Sequence, residues 1–189
     1  MTTRTKTTMT TSSTTTTSTT TTTTTTTIPN TDCLRGFSSV IQLDVFNLTS
    51  SQPYTYYSYT YLAGIDQTSA TLIIALRNVP QWWYLDDVSV VQSTNNGRGV
   101  ELLSDGGFES GSLAPSWKTC TDGSDDFVGF IERENPRTGK CSFYDFATRH
   151  FDYISQTFET VPRELYNISM WLSASRSGDG ISAAIFVGN

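Results

Sequence analysis

The chain has 189 residues, of which 37% are hydrophobic, 12% aromatic and 16% charged, with a formal net charge of −6. That length holds one ordinary domain plus a tail, and the aromatic-rich, charge-poor balance suits a β-rich extracellular module rather than a helical enzyme. Arg4 and Lys6 lie in a Thr-rich start, so the remainder carries −8, which excludes nucleic acid and anionic membrane surfaces as natural partners.

From Thr2 to Thr27 the sequence is almost pure Thr with a few Ser, unbroken from Thr19 to Thr27. Such a stretch has nothing apolar to bury and is expected to be disordered, with the composition of an O-glycosylated stalk. Residues 1–30 are therefore read as a mucin-like linker and 31–189 as the folded part. No apolar run reaches the roughly 20 residues that cross a bilayer, so membrane insertion by this chain is not expected. Arg4 and Lys6 are not followed by the apolar stretch of a signal peptide. An extracellular or cell-surface location is still expected, the chain being a fragment or its start codon misassigned.

Strands are expected from Val40 onward. Val40–Val45 is the first and Tyr54–Leu62 the second, with Tyr57, Tyr59 and Tyr61 on one face. Thr71–Arg77 is the third. The Trp82-Trp83-Tyr84-Leu85-Asp86-Asp87-Val88-Ser89-Val90-Val91 stretch is the fourth. In a regular strand residues two apart share a face, which would send Asp86 into the core and Leu85 to solvent. One extra residue at Asp86-Asp87, a β-bulge, returns Leu85 to the core with Val88 and Val90 and turns a carboxylate sideways. A polar connector, 93–98, leads to a short strand at Glu101–Ser104, then to a turn-rich coil through Trp117, Cys120 and Cys141. Further strands are expected at Tyr153–Thr160, Leu165–Ala174 and Ile181–Val187. Short strands separated by turn residues point to an all-β sandwich or barrel, and no stretch has helical periodicity.

Four motifs together resemble the galactose-binding-like jelly rolls, including carbohydrate-binding modules of the family four, nine and twenty-two type. They are Leu103-Ser104-Asp105-Gly106-Gly107-Phe108-Glu109, Tyr153-Ile154-Ser155-Gln156-Thr157-Phe158, Tyr166-Asn167-Ile168-Ser169-Met170-Trp171-Leu172 and Tyr84-Leu85-Asp86-Asp87-Val88. The resemblance implies a jelly-roll β-sandwich, but the family's closing motif here precedes its opening one. Either two half-modules of a tandem array are joined, or one circularly permuted sandwich forms. The second is favoured, with 36–92 supplying the late strands and 99–189 the early ones. The resemblance also implies a structural Ca²⁺ where the opening turn meets the closing strand, held by Glu109, Asp86 or Asp87 and carbonyls near Gly107. Two carboxylates and carbonyls suit a hard cation of six to eight oxygen ligands. The alternative is that these acids cap turns.

Sugar binding calls for aromatic faces and hydrogen-bonding groups. Trp171 leads the candidates because it shares the polar face of its strand with Asn167, Ser169 and Ser173. Trp82, Trp83 and Tyr59 are the others, although one Trp of the pair and the tyrosine stripe are better suited to the core. Asn47 and Asn167 begin glycosylation sequons, and a glycan on Asn167 would stand about 13 Å from Trp171 on the same face. Of the three cysteines, Cys120 and Cys141 bracket a turn-rich loop and are expected to pair, leaving Cys33 odd. Catalysis finds little support: His150 is the only histidine, and the Asp125-Asp126 pair reads as a surface turn. The expected function is a non-catalytic carbohydrate-binding or adhesion module whose partner is a polysaccharide or glycoprotein glycan. The alternatives are an interaction sandwich without sugar binding, or an accessory fragment of a glycoside hydrolase.

Overall fold

A computed structural model describes residues 32–48, 50–78, 82–93, 99–122, 129–146, 150–175 and 181–189. The Thr-rich tail, most of the 93–98 connector and the Asp125-Asp126 pair lie outside these residues, as does the side chain of Asn47.

Among the described residues, ten strands form two five-stranded antiparallel sheets stacked as a β-sandwich. In chain order they are β1 (Val40–Leu48), β2 (Gln52–Leu62), β3 (Ser69–Arg77), β4 (Trp83–Gln92) and β5 (Lys118–Thr121). There follow β6 (Phe130–Glu132), β7 (Ser142–Asp145), β8 (Asp152–Glu159), β9 (Leu165–Ala174) and β10 (Ile181–Gly188). The first sheet runs β1-β10-β3-β8-β5 and the second β2-β9-β4-β7-β6. Strands from before and after the 93–98 connector thus lie side by side in both sheets, and neither half has a sheet of its own.

Alternation decides which side chains fill the core. In β2, Tyr59 and Tyr61 are buried and Tyr57 packs against them, while Ser58 and Thr60 face solvent. In β9, Tyr166, Ile168, Met170 and Leu172 enter the space between the sheets. Strand β3 has no polar face over Leu72–Leu76, because the first sheet is covered on both sides. Leu72, Ile74 and Leu76 join the inter-sheet core; Ile73 and Ala75 meet Leu34, Tyr153, Ala184 and Phe186 in an outer cluster. The 3-10 turn at Asp32–Leu34 closes that cluster, and the Cys33–Cys120 disulfide fastens it to β5.

This pairing corrects the expected Cys120–Cys141 bridge. Cys120 packs with Cys33 at the outer cluster, whereas Cys141, 2% exposed, is a free thiol in the inter-sheet core. Nearness in sequence gave the wrong partner because Cys120 faces the outer cluster of the first sheet while Cys141 points into the space between the sheets. The bridge closes a span of 87 residues, a constraint of about 4.5 kcal/mol in the chain-entropy account.

The expected bulge in β4 is present. Register against β9 slips between Asp86 and Ser89, Asp87 takes φ 49°, and Leu85, Val88 and Val90 are all buried. The bulge is where the opening turn docks: Val88 N–H donates to the Gly106 carbonyl at 2.9 Å. A Cβ on Gly106 would stand 1.8 Å from the Val88 carbonyl oxygen, so only glycine permits this approach. Glu101–Ser104, expected as a short strand, makes a single bridge to Val91. Strands β5, β6 and β7 lie in the stretch read as coil.

Candidate functional site

The outer face of the second sheet carries a row of unburied aromatic side chains in register. Period-two alternation places Trp83 inward and Trp82 and Tyr84 outward. Tyr84 is paired across the strands with Tyr144 of β7, and Tyr144 with Phe130 of β6. Ring centroids lie 5.5 Å apart for Tyr84–Tyr144, 5.1 Å for Phe130–Tyr144 and 6.3 Å for Trp82–Tyr144, the last pair stacked. These four rings, with Glu132, Arg133 and Glu134, line an open cleft of about 490 Å³.

One wall of the cleft is the loop that follows β6, and its shape is set by carboxylates. Glu132 accepts N–H bonds from Glu134 (2.6 Å) and Asn135 (3.0 Å) and the Ser142 hydroxyl (3.0 Å). Asn135 donates through its side-chain amide to the Tyr84 hydroxyl at 3.0 Å, and its main-chain carbonyl accepts the Tyr54 hydroxyl at 2.8 Å. Burial pushes the Tyr54, Tyr84 and Tyr144 phenols above their ordinary range, and nearby acids, Glu132 among them for all three, push the same way.

Further along, the same loop is fastened by the residues expected to hold Ca²⁺. Asp86, fully buried, accepts main-chain N–H bonds from Asp87 (2.7 Å), Arg137 (2.7 Å) and Thr138 (3.1 Å). Burial nonetheless raises its pKa, the three N–H bonds acting against that rise. Asp87 accepts the Arg137 guanidinium at 2.5 Å and the Thr138 hydroxyl at 2.6 Å. Glu109 accepts the N–H groups of Lys140 (2.8 Å) and Cys141 (3.0 Å). Gly107 lies between: a Cβ there would be 3.8 Å from Asp87 Oδ1 and 3.9 Å from the Glu109 side chain.

The fold thus brings Asp86, Asp87, Glu109 and Gly107 to one loop. Their oxygens, however, face N–H and O–H donors and a guanidinium, so the donor set as arranged does not fit Ca²⁺. Among the described residues no group of three or more His, Cys, Asp or Glu side chains is disposed to hold a metal. What this carboxylate set holds is the chain's own loop.

The expected aromatic platform is divided by the fold. Trp171 faces outward on β9, as its polar neighbours implied, but Arg137 lies over its ring at 3.5 Å and Tyr56 packs beside it at 5.2 Å. Trp83 is fully buried and donates its indole N–H to the Arg77 carbonyl at 3.0 Å, and Tyr59 is 5% exposed. Neither can meet a ligand, because each occupies an inward position of its strand. Of the expected sugar contacts Trp82 alone lines the cleft. Asn167 shares the outward face of β9 with Trp171, and its side-chain carbonyl accepts the Ser58 hydroxyl at 2.8 Å.

The sequence marks Tyr84 only within the bulged strand and its motif, and gives no signal at Phe130, Glu132, Arg133 or Glu134. The one available signal was the Ser142-Phe143-Tyr144-Asp145 alternation, too short to stand out between turn residues.

Fold and cleft together define an antiparallel β-sandwich with an aromatic, carboxylate-bearing cleft on the outer face of one sheet. No family model, curated protein or solved structure matches the chain.

Proposed function

We propose that this chain is a non-catalytic carbohydrate-binding or adhesion module of the galactose-binding-like jelly-roll type, binding a polysaccharide or glycoprotein glycan in the Trp82–Tyr144 cleft. The observation that carries the reading is the cross-strand row Tyr84–Tyr144–Phe130, with Trp82 stacked on its central ring. These rings lie outside the core, so their cost to solubility is offset by no packing between the sheets. Sugar C–H faces stack on such rings, and Glu134, Arg133 and the tyrosine hydroxyls supply hydrogen-bonding groups at the rim.

The Cys33–Cys120 bridge fits an oxidising, extracellular compartment, and the Thr-rich stretch fits a glycosylated stalk. No helix among the described residues is long and apolar enough to cross a membrane.

The test is affinity electrophoresis and calorimetry of residues 28–189 against a panel of soluble polysaccharides. Tyr144→Ala and Trp82→Ala are expected to weaken binding by tenfold or more, in line with the loss of an aromatic anchor, while Trp171→Ala leaves it within about threefold. Binding to none of the panel, with the variants folded, would return the chain to the class of interaction sandwiches.

A further inference from the structure

The two sheets end in four edges, and three of them are blunted against pairing with another strand. β1 carries Asp44 and a register slip between Gln42 and Asp44. β5 has four residues and begins with Lys118, and β6 has three and ends with Glu132. Short length, charge and bulges are the devices that keep an edge from templating a second strand.

β2 has none of these over most of its length. It is the eleven-residue edge of the second sheet, bonded to β9 on one side and to no described strand on the other. Pro53 and a register slip lie at its start, between Gln52 and Thr55, so Thr55–Leu62 runs without a break. None of the chain's 12 Lys and Arg or 18 Asp and Glu falls in β2, or in β9 beside it. Most of the strand is Tyr and Thr, which favour extended backbone. Its outward face leaves Tyr56 50% and Leu62 58% exposed.

We infer that β2 is the interface of a symmetric homodimer, in which it pairs antiparallel with β2 of a second copy. A two-fold axis at Ser58, near the middle of the unbroken stretch, sets Ser58 against itself. On the outer face Tyr56 then meets Thr60, and Tyr54 meets Leu62; on the inner face Tyr57 meets Tyr59. Pairs of an aromatic with a β-branched or aliphatic residue stabilise a sheet, and like charges directly opposite destabilise it. A two-fold contact always brings like residues near one another, so a charged edge repels its own copy. β2 is neutral throughout, which suits it to itself. The merged sheet has ten strands and a cleft toward each end. On the carbohydrate reading above, which the dimer itself does not need, the pair is bivalent. Its two Tyr144 strands are seven strand spacings apart, about 34 Å.

Sedimentation velocity of the full chain from about 1 to 100 µM, the range in which an interface of modest affinity fills, is expected to show a monomer–dimer equilibrium. Hydrogen exchange of the β2 amides is expected to slow as the dimer forms. Ser58, exposed on the outer face, is the residue to change. Ser58→Lys and Ser58→Glu each place like charges at the axis and are expected to weaken the dimer about tenfold or more. An equimolar mixture of the two should restore it as a heterodimer, which a fold damaged at Ser58 would not do. Thr119→Lys puts the same charge on the exposed edge β5 and should leave the dimer intact.

A monomer over the whole range would overturn the inference. So would a dimer that tolerates both Ser58 variants and leaves β2 exchange unchanged, because the contact would then lie elsewhere. Slow β2 exchange in a monomer, lost on removing residues 1–27, would overturn it in favour of the chain's own Thr-rich segment as the strand that covers β2. The carbohydrate reading is untouched by any of these results, since its test is binding at the cleft.

Discussion

Arg137 lies over Trp171, its guanidinium carbon 3.5 Å from the ring centroid, and the same guanidinium donates to Asp87 at 2.5 Å. The contact ties the loop after β6 to the middle of the second sheet and takes Trp171 out of contention as an open platform. Both partners of the ion pair are partly exposed, so solvent screens it and most of the coupling is expected from the ring. A double-mutant cycle of Arg137→Ala and Trp171→Ala, read by urea unfolding, should give a coupling of about 1 kcal/mol. A coupling near zero would mean that the loop is held by its backbone bonds alone.

Those backbone bonds converge on Asp86. Asp86→Asn places an amide where three N–H donors point, and one side-chain oxygen cannot receive them all. The loss is expected to be about 2–3 kcal/mol, the cost of leaving buried donors unmet. The pH dependence has a definite sign. The folded pKa of Asp86 is raised by burial above its unfolded value, so the folded state holds a proton that the unfolded state gives up. Its contribution is fully present below the unfolded pKa and is lost as pH rises through the folded pKa. The wild-type protein should therefore gain stability from this residue on acidification through that window, and Asp86→Asn should flatten the profile there. Unfolding midpoints across that range check it, and a steeper profile in the variant would count against the assignment.

How much of this was legible in the residues can be argued from β4. The mismatch between Leu85-Asp86-Asp87 and a period of two forced a bulge, and the register slip and positive φ of Asp87 lie where that argument put them. Long strands with one wet face, β2 and β9, were equally readable, because alternation is strong when only one face is buried. The cleft was not readable. Phe130 and Tyr144 stand on strands of three and four residues, and their significance arises from pairing with Tyr84, which a linear pattern does not carry. Nor could spacing reveal that Arg137 would lie over Trp171, because that contact depends on how the loop is fastened to Asp86 and Glu109. The cysteine pairing failed for a related reason: which face of which sheet a cysteine serves is a property of the assembled sandwich.

The thiols give a direct check of that pairing. Non-reducing peptide mapping should recover Cys33 linked to Cys120. One thiol per chain, Cys141, should react with an alkylating reagent, and only after unfolding. Cys33→Ser with Cys120→Ser is expected to lower stability by about 4 kcal/mol, since it frees a long segment of the unfolded chain and loosens the cover over Ile73 and Phe186. Rapid labelling of Cys141 in the native protein would contradict its burial between the sheets.

The carboxylate cluster makes the last prediction. Ca²⁺ could enter among Asp86, Asp87 and Glu109 only by displacing the N–H groups of Arg137, Thr138, Lys140 and Cys141, together with the Arg137 guanidinium. Each displaced donor is then left to find another partner, and the loop that walls the cleft is released from the sheet. Thermal unfolding of residues 28–189 is therefore expected to be cooperative and to have the same midpoint in EGTA as in about 1 mM Ca²⁺, a concentration typical for extracellular modules. An ion bound to the folded state alone with a Kd of about 10⁻⁴ M would, at about 1 mM, stabilise it by about 1.4 kcal/mol, a shift that such a melt resolves. An upward shift of that size, lost in Asp87→Asn and Glu109→Gln, would assign the cluster to a cation after all. The loop would then be held through the ion rather than through its own amides.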